Sequence, residues 1–288
     1  MGNTLVTLKG FGDFIIAINA LRKVKTLVGR SNIELIAGRH VTNFAVDLGV
    51  EERVIFVGAP GLNDVPAIYN IKEQGLLCAL KSLQQLHSEI SKISNSSKLI
   101  FDKLGFRERM IGAGHKLIQL PESSNIYFAY DKLFKGMGYD NLIEIPSQPK
   151  GNTAIIVPGA RSIERVISSS LIKKIYEKLL SFNFNPKVVL LEGEAYKTPE
   201  HVNVEIIPRK FSSLIDSIKS ADLVISADSL PAHLSEFFLK PVFVFTPVPK
   251  WSIYWLPKSA FNSNGMSSFE DINNLHEWLA LNYSFLRK

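Results

Sequence analysis

Cysteine is almost absent from this chain of 288 residues, and no stretch reaches the ~18 consecutive apolar residues of a membrane span. The single cysteine, Cys78, excludes an intrachain disulfide framework, and its apolar neighbours predict a small buried side chain. The first nine residues carry no basic segment ahead of a long apolar one, as a secretory signal would. We therefore expect a cytoplasmic protein.

Motifs that bind metals or nucleic acids are also lacking. There is no Asp-x-Asp pair and no His/Cys cluster at ligand spacing, so no metal site is predicted. The net charge of +6 is moderate for this length, and no helix-turn-helix, zinc-finger or RNA-binding motif accompanies the basic residues. The expected partners are therefore anionic small molecules or a membrane surface, and not nucleic acid.

Apolar residues, by contrast, are abundant: they make up 46% of the chain, and charged residues 21%, as in folded globular proteins. Short apolar strands alternate with amphipathic helices, which predicts doubly wound parallel sheets of the α/β class. The first-half strands are predicted at 4–8, 33–37, 54–57, 99–101 and 117–120, with helical segments at 14–24, 42–48, 68–93 and 106–111. The second-half strands are predicted at 154–157, 187–191, 204–207, 223–226 and 242–245, with helices at 169–182, 212–220, 231–239 and 268 to about 284.

A segment rich in proline, glycine and polar residues, 145–152, divides the chain almost in half. The length suits two domains, so we predict a first domain of residues 1–148 and a second of residues 149–288. The last helix carries a row of apolar side chains and is predicted to pack back across the junction. That row consists of Leu275, Trp278, Leu279 and Tyr283.

The turn after the first strand is a candidate site, because open parallel sheets bind ligands beyond the carboxyl ends of their strands. It contains Lys9, Gly12 and Asp13. Its Gly-x-Gly has isoleucine at the third glycine position, so a dinucleotide fingerprint is not supported. Asp13 either caps the following helix or presents a carboxylate that takes a proton from an acceptor hydroxyl.

Residues 158–165, after the first strand of the second half, form a second candidate turn. Gly159 permits close approach of the backbone to a ligand, and Arg161 or Arg165 can bind a phosphate. Solvated surface arginines are the alternative interpretation.

Residues 226–234 form the third candidate turn. Pro231 occupies a favoured first-turn position, so Asp228 and Ser229 precede a helix start with free backbone amides. Simple capping also explains Asp228 and Ser229, and an interior hydrogen bond also explains His233.

These turns, taken with their flanking strands and helices, resemble the inverting glycosyltransferases of family nine, the bacterial heptosyltransferases of lipopolysaccharide core assembly. The similar segments are 12–25 (GDFIIAINALRKVK), 125–138 (NIYFAYDKLFKGMG), 158–160, 188–193, 221–234 (ADLVISADSLPAHL) and 241–247. The resemblance implies a GT-B fold, in which two Rossmann-like domains face a central cleft. The first domain would bind the acceptor and the second the nucleotide sugar.

The same resemblance implies an inverting transfer of a heptose-like sugar, with an ADP-sugar favoured, to a lipopolysaccharide or surface-polysaccharide acceptor. No cofactor or metal is implied. Asp13 would be the general base, with Lys9 and Gly12 on the acceptor side. The implied donor-binding residues are Gly159, Ala160, Arg161, Arg165, Glu192, Glu194, Asp228, Ser229, Leu230 and His233.

Several alternatives stay open. Glu192 or Glu194 would lie near the nucleotide ribose. Glu164 stands where the family has a lysine, so Arg161 or Arg165 must supply the charge, and Leu230 stands where glycine is usual. A transferase or epimerase using another nucleotide sugar, and a degenerate sugar-nucleotide-binding member without catalysis, are alternative functions.

Basic residues of the first half are candidates for peripheral contact with lipid phosphates at the inner-membrane surface. They are Arg107, Arg109 and Lys116. Ordinary solvated charges are the alternative.

Overall fold

The chain forms two compact units in the computed structural model, which describes residues 2–28, 33–59, 65–93, 98–139, 151–194 and 196–283. One unit contains the described residues up to Glu122 and those from Ala129 to Tyr139. The other contains Ser123–Phe128 and the described residues from Gly151 onward. The boundary predicted at 148/149 lies outside the described residues.

The first unit is built on a parallel five-stranded sheet with the order β3-β2-β1-β4-β5, as in Rossmann-type domains. Its strands are β1 (Asn3–Thr7), β2 (Ile33–Gly38), β3 (Val54–Val57), β4 (Lys98–Phe101) and β5 (Lys116–Gln119). Its helices are α1 (Phe11–Val28), α2 (Thr42–Leu48), α3 (Ile71–Gln74), α4 (Leu76–Ile93), α5 (Phe106–Ile111) and α6 (Ile126–Gly136), the last beginning within Ser123–Phe128. Aliphatic side chains of the strands and helices fill the core between the layers.

The helical region predicted at 68–93 is interrupted in the structure. A 3-10 turn at Ala67–Tyr69 precedes α3, and Gly75 separates α3 from α4 with a φ of +83°. Only glycine adopts that backbone conformation readily, which explains why the helix does not continue through it.

Cys78 is exposed, so the prediction of a buried thiol is wrong. The buried side of α4 is formed by Ala79, Leu86 and Ile90. Cys78 does not lie on that side of the helix, although its neighbours in sequence are apolar.

The second unit contains a parallel six-stranded sheet with the order β11-β10-β9-β6-β7-β8. Its strands are β6 (Thr153–Val157), β7 (Asn185–Leu191), β8 (Val204–Ile207), β9 (Leu223–Ala227), β10 (Val242–Thr246) and β11 (Met266–Ser268). Its helices are α7 (Ser169–Ser181), α8 (Phe211–Ser220), α9 (Leu230–Phe237), α10 (Pro249–Ser252), α11 (Lys258–Asn262) and α12 (Asn273–Tyr283).

The last helix begins at Asn273 and not at 268, because residues 266–268 form the edge strand β11 against β10. The predicted apolar row of α12 is buried in the core of the second unit, with Trp278 against Phe243 and Tyr283 against Phe184. Its predicted packing across the domain junction stays a prediction. Among the helices of the described residues, none has the length and apolarity needed to cross a bilayer.

Each sheet has one point where the direction of strand addition reverses. In the first unit the chain adds β2 and β3 on one side of β1, and then β4 and β5 on the other. In the second unit β7 and β8 lie on one side of β6, and β9, β10 and β11 on the other. In open parallel sheets, ligands bind beyond the carboxyl ends of the strands at such switch points, which here are the ends of β1 and β4 and the ends of β6 and β9.

Candidate functional site

The switch point of the first unit brings together charged residues from two turns. Lys9 follows β1 and Asp102 follows β4, and the Lys9 Nζ atom lies 2.9 and 2.8 Å from the two Asp102 carboxylate oxygens. The Lys9 carbonyl accepts a hydrogen bond from His40 Nε2 at 2.8 Å. Gly38 has to be small here, because a Cβ atom on it would lie 2.6 Å from the His40 ring. The turn with Lys9 is therefore held from both neighbouring strands.

Asp13 is not an N-cap, because α1 begins at Phe11 and Asp13 is its third residue. Its Oδ2 atom accepts a hydrogen bond from the backbone N–H of Gly10 at 3.0 Å, across the first turn. Gly12, predicted on the acceptor side, is the second residue of the helix and is partly buried. Asp13 therefore does not cap the helix from the N-cap position, but its carboxylate still accepts a hydrogen bond from one of the free amides at the helix start.

The Asp13 carboxyl is a stronger base than an ordinary aspartate. Burial raises its pKa, the hydrogen bond from Gly10 opposes that rise, and the charge of Asp102 adds to it. Lys9 has a smaller lowering effect. A carboxylate with a raised pKa at a switch point is suited to accept a proton from a bound hydroxyl.

At the switch point of the second unit, Asp228 is the centre of a hydrogen-bonded group. Its Oδ2 atom accepts a hydrogen bond from Ser252 Oγ at 2.7 Å, and Thr246 Oγ1 lies 2.8 Å from the same serine oxygen. The Arg165 guanidinium lies 3.6 Å from Asp228 Oδ2 and reaches the Asp228 carbonyl at 3.5 Å. Asp228 is largely buried whereas Arg165 is about half exposed. A phosphate can therefore approach the guanidinium from solvent.

Capping by a side chain does not account for Ser229. It is the N-cap of α9, but its hydroxyl makes no capping hydrogen bond and instead donates to the Gly159 carbonyl at 3.1 Å. The turns after β6 and β9 are joined directly by this contact. The start of α9 therefore faces the Gly159 turn, where helix amides favour an anion.

Glu194, and not Glu192, lies beside the Gly159 turn. A Cβ atom on Gly159 would lie 2.9 Å from Glu194 Oε1, and Glu194 Oε2 accepts a hydrogen bond from the Leu191 amide at 3.1 Å. Glu192 is exposed, and its carbonyl accepts a hydrogen bond from Arg209 Nε. The sequence left both glutamates open as candidates, and the position beside the Gly159 turn favours Glu194.

The remaining predicted donor residues are spread around this group. Ala160 packs against the core of the second unit, and Arg161 is exposed. Glu164 is exposed, and a hydrogen bond with Ser162 lowers its pKa. Leu230 is the first residue of α9 and is partly buried. Of the two candidate arginines, only Arg165 is brought to Asp228 by a contact that the structure describes.

His233 is buried inside α9, where its Nδ1 atom lies 3.2 Å from the Tyr127 hydroxyl. Burial lowers the pKa of His233 to about 4, and the negative charge of Asp228 partly opposes that effect. Tyr127 is held by Asn125, whose side chain accepts a hydrogen bond from the Tyr127 amide and donates to the Ile253 and Leu256 carbonyls. His233 is thus a neutral interior residue near Asp228, and its ring joins α9 to Tyr127.

We expect His233 to make the protein lose stability as the pH falls. Its pKa is about 4 in the folded chain and near 6.5 when unfolded, so the unfolded chain takes up a proton first. Protonation of His233 does not lower the free energy of unfolding above about pH 6.5. Toward pH 4 it lowers the free energy of unfolding by roughly 3 kcal/mol. Thermal unfolding between pH 7 and 4.5 should show a smaller decrease in Tm for His233→Gln than for the wild type. Parallel Tm curves for the two proteins would contradict this prediction.

Sequence reasoning missed three polar residues of these two groups, Asp102, Thr246 and Ser252. Each follows or ends a strand, as Asp102 follows β4, Thr246 ends β10, and Ser252 lies in the short helix after β10. A systematic search for polar residues at the carboxyl ends of all predicted strands would have identified Asp102 and Thr246. Ser252 lies in α10, which no periodic pattern predicted.

Comparison with known proteins shows similarity in structure and not in sequence. No family model matches the chain, and no curated protein sequence is significantly similar to it. The fold is similar to that of a family 9 glycosyl transferase from Veillonella parvula, with a TM-score of 0.60 and 13% identity, over 99% of this chain and 93% of that one. The E. coli heptosyltransferase WaaC with ADP is similar with a TM-score of 0.60 and 12% identity, over 97% of this chain and 99% of that one. E. coli ADP-heptose lps heptosyltransferase II is similar with a TM-score of 0.56 and 10% identity, over 99% of this chain and 98% of that one.

These similarities extend over nearly the whole of each chain and confirm the predicted fold class. The two parallel-sheet α/β units have the GT-B architecture, and the predicted resemblance to family nine is confirmed at the level of fold. Identities of 10–13% establish the fold alone.

Proposed function

We propose that this protein is an inverting, metal-independent glycosyltransferase. It transfers a heptose-like sugar from a nucleotide-diphosphate sugar, preferably an ADP-sugar, to a lipopolysaccharide or surface-polysaccharide acceptor at the cytoplasmic side of the inner membrane. The observation that carries the proposal is the group at the switch point of the second unit, where Arg165, Asp228 and Ser229 meet the Gly159 turn at the start of α9.

This group has the charges that a nucleotide diphosphate needs. Arg165 offers N–H donors in a planar fork that fits phosphate oxygens, and the partial positive charge at the start of α9 adds to its attraction. The negative charge of Asp228 is compensated by Arg165 and by the hydroxyl of Ser252. Arg165 thereby replaces the lysine of the family, and Glu164 on the exposed side of that turn takes no part in binding.

Glu194 would contact the ribose of the nucleotide, since its carboxylate borders the Gly159 turn. A glutamate after the second strand of a Rossmann-type half commonly accepts hydrogen bonds from ribose hydroxyls. Gly159 has no Cβ atom, so the backbone of its turn leaves room for the Glu194 carboxylate. Leu230 stands where the family has glycine, and its side chain would crowd the phosphates of the donor.

In the reaction, the acceptor hydroxyl oxygen forms a bond to the anomeric carbon as the bond from that carbon to the diphosphate oxygen breaks. Asp13 takes the proton of the hydroxyl, and the nucleoside diphosphate leaves with the electron pair of the broken bond. A single displacement inverts the configuration at the anomeric carbon. The raised pKa of Asp13 increases its basicity, and Arg165 with the α9 amides stabilises the charge on the leaving group.

The direct test combines nucleotide binding with an assay of transfer. ADP, UDP and GDP are compared by thermal shift, and ADP is expected to raise the Tm most. At about 100 times Kd, ligand binding adds about 2.7 kcal/mol to the free energy of unfolding, which shifts the Tm by several degrees. Purified acceptor and candidate nucleotide sugars, with EDTA present, are then analysed for a glycosylated product by mass spectrometry.

The outcomes separate the proposal from its alternatives. A preference for UDP or GDP would indicate a transferase or epimerase that uses another nucleotide sugar. Nucleotide binding without transfer to any acceptor would indicate a sugar-nucleotide-binding protein without catalysis. Loss of transfer in EDTA that Mg²⁺ restores would contradict metal independence.

A further inference from the structure

An apolar surface on the first unit is left uncovered by the fold. Five large side chains on α4 and α5 are exposed: Leu76 by 64%, Leu77 by 77%, Leu80 by 51%, Phe106 by 76% and Met110 by 43%. We call these five residues the apolar patch. Single exposed apolar residues are ordinary, but such a concentration on adjacent helices marks an interaction site.

The two helices that carry the patch lie side by side. The His87 ring of α4 lies 3.0 Å from the Ile111 carbonyl at the end of α5. Leu80 and Leu76 precede His87 by two and three helical turns, so they lie on the side of α4 that borders α5. At the other end of α5, the Arg107 guanidinium lies over the ring of Tyr69, which ends the 3-10 turn before α3.

On α5 the buried and the apolar exposed residues lie on opposite sides. Glu108 and Ile111 are buried, whereas Phe106 and Met110 are four residues apart and project together from the outer side. The patch is therefore a property of the outer surface of this helix pair. It is not part of the core beneath it.

The exposed charged side chains in the segment that carries the patch are nearly all positive. The exposed basic residues between 72 and 116, within the described chain, are Lys72, Lys81, Lys92, Lys103, Arg107, Arg109 and Lys116. Of the four acidic residues in the same segment, Glu108 is buried, Asp102 is paired with Lys9, and Glu89 is partly buried with its Oε2 atom 3.8 Å from the Arg39 guanidinium. Glu73 is exposed and accepts a hydrogen bond from Asn70. Apolar side chains among exposed cations match the boundary between the acyl chains and the anionic headgroups of a bilayer.

We propose that the apolar patch inserts into the surface of a membrane rich in anionic lipid, while the surrounding lysines and arginines bind lipid phosphates. This surface deepens the proposed function, because it would bring the acceptor-binding unit to a lipid-linked acceptor. Binding to vesicles, however, requires neither nucleotide nor transfer. Failure of the membrane proposal and failure of the proposed transferase activity can therefore be distinguished.

Cosedimentation with vesicles tests the proposal. Vesicles of phosphatidylcholine alone are compared with vesicles containing 30 mol% phosphatidylglycerol, at about 0.15 M salt. The wild type is expected to bind the anionic vesicles. Its affinity for the neutral vesicles should be lower by at least about tenfold. The double variant Leu77→Glu/Phe106→Glu should lower binding to anionic vesicles by more than about tenfold, because it removes apolar contacts and adds repulsion.

A matched control places the same charge on the other unit. Leu281→Glu changes a leucine of α12 that is 82% exposed, and it should leave vesicle binding within about twofold of the wild type. Arg109→Gln/Lys116→Gln should weaken binding severalfold at low salt, whereas Lys173→Gln/Lys174→Gln on α7 should not. All of these side chains are exposed, so the variants are expected to fold. Circular dichroism spectra compared with that of the wild type check this.

Three results would overturn the proposal. They are absence of binding to anionic vesicles by the wild type, equal binding by Leu77→Glu/Phe106→Glu, and an equal loss of binding in Leu281→Glu. Sedimentation velocity measures the oligomeric state and so distinguishes a membrane from a second copy of this chain as the partner of the patch. A wild-type dimer that dissociates in Leu77→Glu/Phe106→Glu would assign the patch to a second copy of this chain and not to a membrane.

Discussion

Asp13→Asn should abolish sugar transfer, with a decrease in kcat of about 100- to 10,000-fold, the range attributed to a positioned general base. Asparagine has almost the same shape, and its side-chain oxygen can still accept the hydrogen bond that the Gly10 amide donates to Asp13. It cannot accept the proton of the acceptor hydroxyl. The affinity for the nucleotide should remain within about twofold, because the proposed donor-binding residues belong to the second unit.

The matched control is Asp47→Asn, which changes an exposed aspartate of α2 in the same unit. It should retain wild-type kcat and KM. Turnover that persists in Asp13→Asn would identify another group as the base and would contradict the proposed mechanism.

The raised pKa of Asp13 makes a second readout available from the same variant. A carboxyl whose pKa is higher in the folded chain stabilises it fully at pH values below its unfolded pKa, and that contribution is lost as the pH rises through the folded pKa. Ionised Asp13 therefore costs stability at neutral pH, which the neutral asparagine avoids. The Tm of Asp13→Asn should equal or exceed that of the wild type at pH 7, and the difference should disappear in acid. A lower Tm at pH 7 would show that the ionised carboxylate stabilises the fold.

Arg165→Gln should weaken the binding of the nucleotide diphosphate by roughly 10- to 100-fold, the worth of one or two charge-assisted hydrogen bonds. Arg165 is the arginine that the structure places beside Asp228, and its loss also leaves that carboxylate without a compensating charge near the phosphates. Isothermal titration calorimetry with the preferred nucleotide measures the change. The salt dependence of binding should also become weaker in the variant, because one ionic contact is lost.

Arg161→Gln is the control for this experiment, since it removes an exposed arginine from the same turn. It should alter nucleotide affinity by no more than about twofold. Unfolding curves should show similar stability for the two variants, because exposed ion pairs contribute little. A larger loss of affinity in Arg161→Gln than in Arg165→Gln would reverse the assignment of the phosphate-binding arginine.

Several features of this protein follow from the sequence because they depend on neighbours along the chain. The alternation of apolar strands and amphipathic helices predicts two parallel sheets. In the structure Gly159 and Asp228 lie in turns after strands, and Asp13 lies in the first turn of the helix after β1. Local patterns also mislead where burial decides. Cys78 lies in an apolar run and is nevertheless exposed, because only one side of α4 meets the core.

The partners of these turn residues were decided by the tertiary structure alone. Lys9 pairs with Asp102 across 93 positions of sequence, Arg165 reaches the Asp228 carbonyl across 63, and Ser252 reaches Asp228 across 24. No periodicity links residues so far apart. They meet because parallel strands place their carboxyl ends at one edge of a sheet, in an order that sheet topology sets. Sequence thus determined which turns carry the chemical groups, and the packing of strands determined which groups act together.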